Sequence, residues 1–154
     1  MFSHMARINM DGVPYYVNLK PLNDKIKVPC FGDPAGEIIA INLSNGSIRW
    51  RKPLGHMLHV TNGSLNTGGP LITAGGLVFI GASLDSKIRA FDLLTGEDVW
   101  SHDLPAPGAA TPMSYTIDGQ QYVVIAAGGN ALMSKGLHIK GSDVVMAFKL
   151  KSAQ

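Results

Sequence analysis

The sequence predicts an all-β fold built from a repeated unit. Helical periodicity is almost absent, short β-branched and aromatic runs recur between glycines, and one eleven-residue pattern occurs twice. Glycine makes up 18 of the 154 residues, but 45% of residues are apolar, so the glycine excess indicates tight turns rather than disorder. The runs with strand character are Tyr15–Leu19, Glu37–Asn42, Leu77–Ser83, Lys87–Asp92, Gln121–Ala127 and Val144–Leu150.

The repeated pattern has the order strand, turn, strand and tryptophan. Ala40–Trp50 matches Ala90–Trp100 at a spacing of 50 residues, and the first part of the pattern returns at Val145–Leu150. Gly46 and Gly96 allow the turn, because glycine adopts a positive φ without a Cβ clash. Each unit is therefore predicted to be a β-hairpin that ends in a tryptophan.

The polar and aromatic residues of the repeat have structural interpretations. Asn42 and Asp92 are predicted to cap the turn rather than to act in a site. Trp50 and Trp100 can each bury about 150–250 Å² of surface, so we expect them to pack between successive repeats. A platform for a cofactor is the alternative role for the two tryptophans.

Each repeat, together with the runs before it, supplies the four strands of one propeller blade. The predicted strands are 70–74, 77–83, 87–92 and 98–103 for one complete blade, and 111–117, 121–127 and 144–149 for the next. An incomplete blade precedes them. The chain is therefore expected to form a partial β-propeller of two to three four-stranded blades. The predicted divisions are an N-terminal extension at 1–13, the blades at 14–150 and a tail at 151–154.

Composition and charge exclude several classes of protein. The 13 Lys and Arg nearly balance the 11 Asp and Glu, so we expect no nucleic-acid partner. Cys30 is the only cysteine, which excludes an intramolecular disulfide and a cysteine-based zinc site. No apolar run of 18 residues exists, and Met1–Met10 lacks the hydrophobic run of a signal peptide. We therefore expect no membrane span and no export signal in the chain.

The remaining histidines and acids have more than one interpretation. His56 and His59 lie in the long connection Leu54–Thr67, and metal binding, the lining of a central cavity and plain solvent exposure all remain open. Asp85 and Asp118 are predicted to be turn acids, and the Asp-Gly pair at Asp118 is a strong hairpin signal.

The repeats and the segments between them carry a resemblance to a known family. Ala90–Trp100 reads A-x-D-x-x-T-G-x-x-x-W in full, whereas Ala40–Trp50 departs from this pattern at Asn42 and Asn45. Together with Val28–Cys30, Gly69–Phe79, Ala109–Tyr115 and Gly119–Gly129, these residues resemble the pyrroloquinoline quinone (PQQ)-dependent dehydrogenases. The similarity is greatest to the C-terminal end of the membrane-bound quinoprotein glucose dehydrogenases and extends over roughly residues 14–150.

The resemblance implies an eight-bladed quinoprotein propeller that holds PQQ and a calcium ion on its axis. In the family a carboxylate acts as base, and the base and calcium ligands come from earlier blades, so no catalytic or metal-binding residue is assigned here. Asn66, Thr67, Gly68 and Gly69 match positions that line one side of the quinone pocket. Asn130 matches a position at the substrate entrance where glucose dehydrogenases commonly have His, so a different sugar selectivity is expected.

Two functions from different classes follow. The first is a C-terminal fragment of a periplasmic PQQ-dependent sugar or polyol dehydrogenase, inactive as an isolated chain. The alternative is a non-catalytic β-propeller scaffold or truncated remnant that acts only through protein contacts. Because an arc of blades exposes an apolar face on each side, its expected partners are the remaining blades or further copies of the chain, for example three copies in a closed ring. PQQ binding by the chain alone is expected to be weak or absent.

Overall fold

The computed structural model describes residues 33–57, 62–130 and 139–150 in full, and residues 2–10 and 13–20 as backbone strands. All regular structure in these ranges is β-strand, which confirms the predicted fold class. The strands are β1 (Phe2–Met10), β2 (Val13–Lys20), β3 (Glu37–Ile41), β4 (Ile48–Pro53), β5 (Leu71–Ile72), β6 (Leu77–Ile80), β7 (Lys87–Asp92), β8 (Asp98–Asp103), β9 (Met113–Ile117), β10 (Gln120–Ala127) and β11 (Val144–Lys149).

The chain divides into two compact units, Met1–Gly32 and Asp33–Gln154. The first unit contains the antiparallel hairpin β1–β2, so a strand lies in the segment predicted as an extension. The second contains a first sheet (β3–β4), a middle sheet (β5–β6–β7–β8) and a third sheet (β9–β10–β11), all antiparallel. The predicted domain boundaries stay predictions, and both the tail at 151–154 and Cys30 lie outside the described residues.

The turns of the repeated hairpins form as predicted. The side-chain Oδ1 of Asp92 accepts hydrogen bonds from the backbone N–H groups of Leu94 and Thr95, both at 2.8 Å, and Asn42 makes the corresponding bond to the N–H of Ser44 at 3.0 Å. These hydrogen bonds from Thr95 and Leu94 lower the pKa of Asp92. The Asp-Gly pair at Asp118 joins β9 to β10 with φ values of 50° and 76°, as expected for a two-residue hairpin turn.

Hydrophobic clusters between the sheets form the core. Ile38 and Leu54, from the first sheet and the residue after it, pack with Val78, Ile80 and Phe91 of the middle sheet. On the opposite face of the middle sheet, a second cluster joins it to the third sheet and comprises Ile88, Leu104, Val123, Ile125 and Ala127. Because side chains alternate along a strand, Ile88 and Phe91 of β7 face opposite neighbours. The three sheets therefore stack face to face, as the blades of a propeller do.

Trp50 lies between the first and middle sheets. Its indole Nε1 donates a hydrogen bond of 3.0 Å to the carbonyl oxygen of Leu93, in the turn of the next repeat. A Cβ added at Gly96 of the same turn would lie only 2.6 Å from Cδ2 of Trp50. Trp100 contacts the ring of Phe148 in the third sheet, with ring centroids 5.1 Å apart. Trp50 is therefore packed between two repeats, whereas Trp100 contacts the third sheet and stays 37% exposed.

The middle sheet is shorter than predicted at its second strand. We expected a strand over 77–83, but β6 ends at Ile80. Gly81 lies so close to the chain before β9 that an added Cβ would be 2.6 Å from the carbonyl oxygen of Gly108. The next residue, Ala82, has a φ of 36° and bonds through its N–H to the same carbonyl. This contact with the connection between β8 and β9 turns the chain away from β7.

Candidate functional site

A crossing segment, residues 62–69, runs past one end of all three sheets. Its first residue, Asn62, accepts a backbone hydrogen bond of 2.9 Å from Ala35, just before β3. The N–H of Thr67 bonds to the carbonyl of Ala82 in the middle sheet's loop at 3.1 Å. The N–H of Gly69 bonds to Oγ1 of Thr111, just before β9, at 3.1 Å. The segment therefore links the loops of three successive sheets.

Glycines allow these close approaches. A Cβ at Gly36 would lie 1.9 Å from the carbonyl oxygen of Ser64, so the first sheet and the crossing segment touch backbone to backbone. A Cβ at Gly68 would lie 3.0 Å from the carbonyl oxygen of Ala109, and one at Gly69 would lie 2.8 Å from Oγ1 of Thr111. Gly68 and Gly69 thus hold the segment against the third sheet.

Asn66 leaves one buried polar atom without a partner. Its Oδ1 is buried and accepts no hydrogen bond from any of the described residues. A buried acceptor without a donor is unfavourable by about 1–3 kcal/mol, so such atoms usually meet a ligand or a water. Its side-chain nitrogen lies beside Gly36, at 2.6 Å from the position of an added Cβ. The nitrogen end of the amide therefore lies against the Gly36 backbone, and its oxygen is buried without a partner among the described residues.

The other predicted site residues lie at the same end of the sheets. Thr67 is exposed, while Gly68 and Gly69 are half-buried. Asn130 is half-buried in the loop after β10, where Gly129 donates a hydrogen bond of 2.9 Å to the carbonyl of Pro107. Asn66–Gly69 thus form the second half of the crossing segment, and Asn130 lies on the loop that follows β10, the central strand of the third sheet. Their assignments to a cofactor and to a substrate entrance stay predictions.

Sequence reasoning missed a polar cluster around Asp85. The Asp85 carboxylate is fully buried, forms an ion pair with Arg89, and accepts a hydrogen bond of 2.6 Å from Oγ of Ser83. Nδ1 of His56 lies 3.2 Å from Oδ2 of the same carboxylate. Asp85 lies in a turn, as predicted. The prediction did not include its burial, which arises because the loop after β6 folds inward against the segment after β4.

The cluster fixes the charge of Asp85. Burial alone would raise the pKa of this carboxyl group, but hydrogen bonds from Arg89 and Ser83, together with the positive charges nearby, outweigh burial and lower the pKa. The His56 side chain is 62% exposed, so it covers the cluster from the solvent side. His59, the second histidine of the predicted pair, lies outside the described residues.

Asp85 and Asn130 lie in the loops that follow β6 and β10 in successive sheets. Val78 pairs with Phe91 in the middle sheet, and Val123 pairs with Phe148 in the third. Counting from each valine, Asp85 and Asn130 are both the seventh residue along the chain. For the cluster around Asp85, the one sequence signal was an acid and an arginine four residues apart, Asp85 and Arg89. This spacing is also common in exposed ion pairs, so it did not indicate burial.

No metal centre or membrane helix is evident in the described part of the chain. No three His, Cys, Asp or Glu side chains lie close enough together there to hold a metal ion. No helix long and apolar enough to cross a membrane occurs in the same part.

Comparison with known proteins identifies the family. Residues 2–123 match the family model described as PQQ: Glucose/ethanol/alcohol dehydrogenase, beta-propeller domain. The chain belongs to this family. It is 39% identical over 157 residues to the glycerol dehydrogenase large subunit of Gluconobacter thailandicus, covering 94% of this chain and 21% of that one. It is 36% identical over 150 residues to the quinoprotein glucose dehydrogenase of Escherichia coli (strain K12), covering 90% and 18%.

A solved structure of the family supports the fold. The quinohemoprotein alcohol dehydrogenase ADHIIG from Pseudomonas putida HK5 aligns with a TM-score of 0.60 and 32% sequence identity, over 77% of this chain and 17% of that one. The chain therefore spans about a fifth of the length of its PQQ-dehydrogenase relatives. PQQ is the cofactor of this family, and the free Oδ1 of Asn66 offers an acceptor to a ligand that carries hydrogen-bond donors. The residues present fit such a group.

Proposed function

We propose that this chain supplies blades to a PQQ-dependent dehydrogenase that oxidises a sugar or polyol in the periplasm. The observation that carries the proposal is the buried, unpartnered Oδ1 of Asn66, on the segment that links the three sheets. Asn66–Gly69 also match family positions that line one side of the quinone pocket, which supports the same location. A buried acceptor without a donor lowers the stability of the fold. A hydrogen bond from a bound cofactor would remove this cost, which explains why an acceptor lies there.

The residues of the chain have binding and positioning roles in this proposal. When bound, PQQ supplies the oxidant that takes two electrons from an alcohol or hemiacetal carbon. Asn66 accepts a hydrogen bond from the bound cofactor, and Gly68 and Gly69 form the wall beside it. The Asp85–Arg89 pair keeps the neighbouring loop in place, and Asn130 borders the substrate. The catalytic base and the calcium ligands come from other blades, so the isolated chain is inactive.

A scaffold without catalysis is the second candidate. The outer faces of the first and third sheets expose large apolar side chains, such as Ile41 and Val145, which favours a role in protein contacts. The two candidates differ in what they require of Asn66, because a scaffold has no use for a free acceptor at that position.

A chimera tests the proposal. We would replace the matching segment of the Escherichia coli quinoprotein glucose dehydrogenase with this chain and measure both PQQ binding and sugar oxidation. The proposal predicts a PQQ-dependent enzyme. In this enzyme Asn66→Ala weakens PQQ binding by about tenfold, the loss of roughly one hydrogen bond. The binding constant is read from PQQ absorbance and does not depend on turnover.

Asn62→Ala is the matched control. Asn62 lies in the same segment but already donates a hydrogen bond of 2.7 Å to Asp33, so its loss leaves PQQ binding unchanged. A folded chimera that binds no PQQ, or one in which both substitutions act equally, would contradict the proposal and favour the scaffold. Separately, tight and stoichiometric PQQ binding by the isolated 154-residue chain with calcium would contradict the requirement for other blades.

A further inference from the structure

The sequence contains two Asn-Gly pairs, and the structure gives them different surroundings. Asn45 and Gly46 lie at the tip of the turn between β3 and β4, where both residues are exposed. Asn62 and Gly63 begin the crossing segment, where Gly63 is buried. An asparagine followed by glycine can react with its own backbone, because no Cβ hinders the approach of the glycine nitrogen to the side-chain amide. The two pairs therefore separate the effect of structure on this reaction from the effect of sequence.

The side-chain amide of Asn45 is held by its oxygen and not by its nitrogen. Oδ1 accepts hydrogen bonds from the backbone N–H of Ser47 at 3.0 Å and from Oγ of Ser47 at 2.8 Å, whereas Nδ2 donates to none of the described residues. Donors on an amide oxygen stabilise the negative charge that develops there when a nucleophile adds to the carbonyl carbon. The N–H of Gly46 donates to the carbonyl of Asn42 at 2.7 Å, and this bond opens as the exposed turn fluctuates.

We propose that Asn45 is a site of spontaneous deamidation in the folded chain. The backbone nitrogen of Gly46 loses its proton to hydroxide and forms a bond to Cγ of Asn45. The bond from Cγ to Nδ2 then breaks, and this nitrogen takes up a proton from water and leaves as ammonia. Water hydrolyses the resulting succinimide ring at either of its carbonyl groups, which leaves aspartate or isoaspartate in place of Asn45. The reaction needs only water, and both products place a new negative charge in the turn.

Asn62 lacks these conditions although the same residue follows it. Its Nδ2 donates a hydrogen bond of 2.7 Å to Oδ1 of Asp33, so the nitrogen that would leave is held by a carboxylate. Its carbonyl oxygen accepts a hydrogen bond of 2.9 Å from the N–H of Ala35. A Cβ added at Gly63 would lie 2.4 Å from the carbonyl oxygen of Gly36, so the backbone there has no room to move as a ring closes. The fold therefore protects the second pair.

The second repeat shows that the asparagine position stays exposed when another sheet packs against the turn. Thr95 takes the place of Asn45 in that repeat and is exposed, although Gly96 beside it is buried against the ring of Trp50. A blade packed in the same way against the turn of the first repeat would therefore leave the Asn45 side chain in solvent.

Peptide mapping by mass spectrometry tests the proposal on the full chain, without cofactor or activity. The chain is incubated in mildly alkaline buffer with and without urea, and the conversion of amide to carboxyl is followed in the peptides that contain each pair. In the folded chain, conversion at Asn62 is expected to be at least about tenfold slower than at Asn45, because additional hydrogen bonds must break first. In urea the two rates should become similar. Isoaspartyl methyltransferase should label the peptide that contains the product of Asn45.

Substitution of two neighbouring serines tests the mechanism. Ser47→Ala removes one of the two donors to Oδ1 of Asn45. Relative to the same variant in urea, it should slow conversion in the folded chain about fivefold, the equivalent of one ordinary hydrogen bond. Ser44→Ala is the matched control, because Ser44 lies in the same turn but bonds through its backbone N–H to Asn42, and it leaves the rate unchanged.

Two results would overturn the proposal. One is an Asn45 that stays unmodified in the folded chain over a period in which the chain in urea is converted. The other is equal conversion at Asn45 and Asn62 in the folded chain, because sequence alone would then set the rate. A Ser47→Ala variant that reacts as fast as the wild type would overturn the role of the Ser47 hydroxyl. None of these outcomes depends on PQQ.

Discussion

Gly46 and Gly96 occupy the same position in the two repeats. Alanine substitutions at them can therefore distinguish the strain of the turn from the effect of the contact between sheets. Gly46 and Gly96 have φ values of 72° and 73°, so an alanine at either position meets the same backbone strain of about 1–2 kcal/mol. Their surroundings differ. An added Cβ at Gly46 meets nothing within 4 Å, whereas one at Gly96 lies 2.6 Å from Cδ2 and 2.8 Å from Cε3 of Trp50.

The structure therefore predicts unequal effects from identical substitutions. Gly46→Ala should lower the free energy of unfolding by the strain alone. Gly96→Ala should lower it further, by about 1–3 kcal/mol, because the indole ring must move within a packed interface. With a urea dependence of about 1–3 kcal/mol per M, the two unfolding midpoints should differ by roughly 1 M. Equilibrium urea unfolding followed by far-ultraviolet circular dichroism measures this difference.

A second background makes the test specific to Trp50. When Trp50 is replaced by alanine, the ring that clashes is gone, so the two glycine substitutions should become equal in effect. Equal destabilisation by Gly46→Ala and Gly96→Ala in the wild-type background would refute the reasoning, because it would mean that no indole lies against the turn of the next repeat.

Two further predictions concern the buried polar cluster. Asp85→Asn should lower the free energy of unfolding by about 3 kcal/mol, since it leaves the Arg89 guanidinium without its buried partner. The control Asp98→Asn, which breaks the exposed Lys52 pair, should change it by less than about 1 kcal/mol, and equal effects in urea unfolding would contradict the burial of Asp85. The lowered pKa of Asp85 also predicts acid sensitivity: its stabilisation is present above the unfolded-state value near 4 and is lost as pH falls through the lower folded-state value. The urea concentration at the unfolding midpoint should therefore decrease as the pH is lowered below about 4. In Asp85→Asn this decrease should be smaller. The decrease that remains comes from Asp92 and Asp103, whose pKa values are also lowered. An unchanged pH profile in the variant would argue against this role.

The local features of the fold could be predicted because their causes are local. The Asp92 side chain accepts hydrogen bonds from the backbone N–H groups two and three residues later in the same turn. Gly96 supplies the positive φ that this turn needs. The repeat then added long-range information, because two copies of one hairpin separated by 50 residues imply two similar sheets with a shared way of packing. The position of Trp50 between the sheets followed from that inference.

The parts that escaped prediction depend on contacts between distant segments. The strand β6 ends at Ile80 because Gly81 meets Gly108, a residue of another sheet's loop. The burial of Asp85 depends on His56 and the chain after β4, about thirty residues earlier in the sequence, and no local pattern marks that approach. The free Oδ1 of Asn66 is visible only once its surroundings are known, whereas the resemblance alone had already singled out Asn66–Gly69.

Hydrogen exchange at the Trp50 indole tests most directly that successive sheets stack as blades. With ¹⁵N-labelled protein, the Nε1–H signal assigned by its loss in Trp50→Phe can be followed after transfer into heavy water. Because this group donates to the carbonyl of Leu93 across the sheet interface, its exchange should be slowed strongly relative to a free tryptophan side chain. Exchange at the rate of the free side chain, in a chain that circular dichroism shows to be folded, would contradict the stacked arrangement.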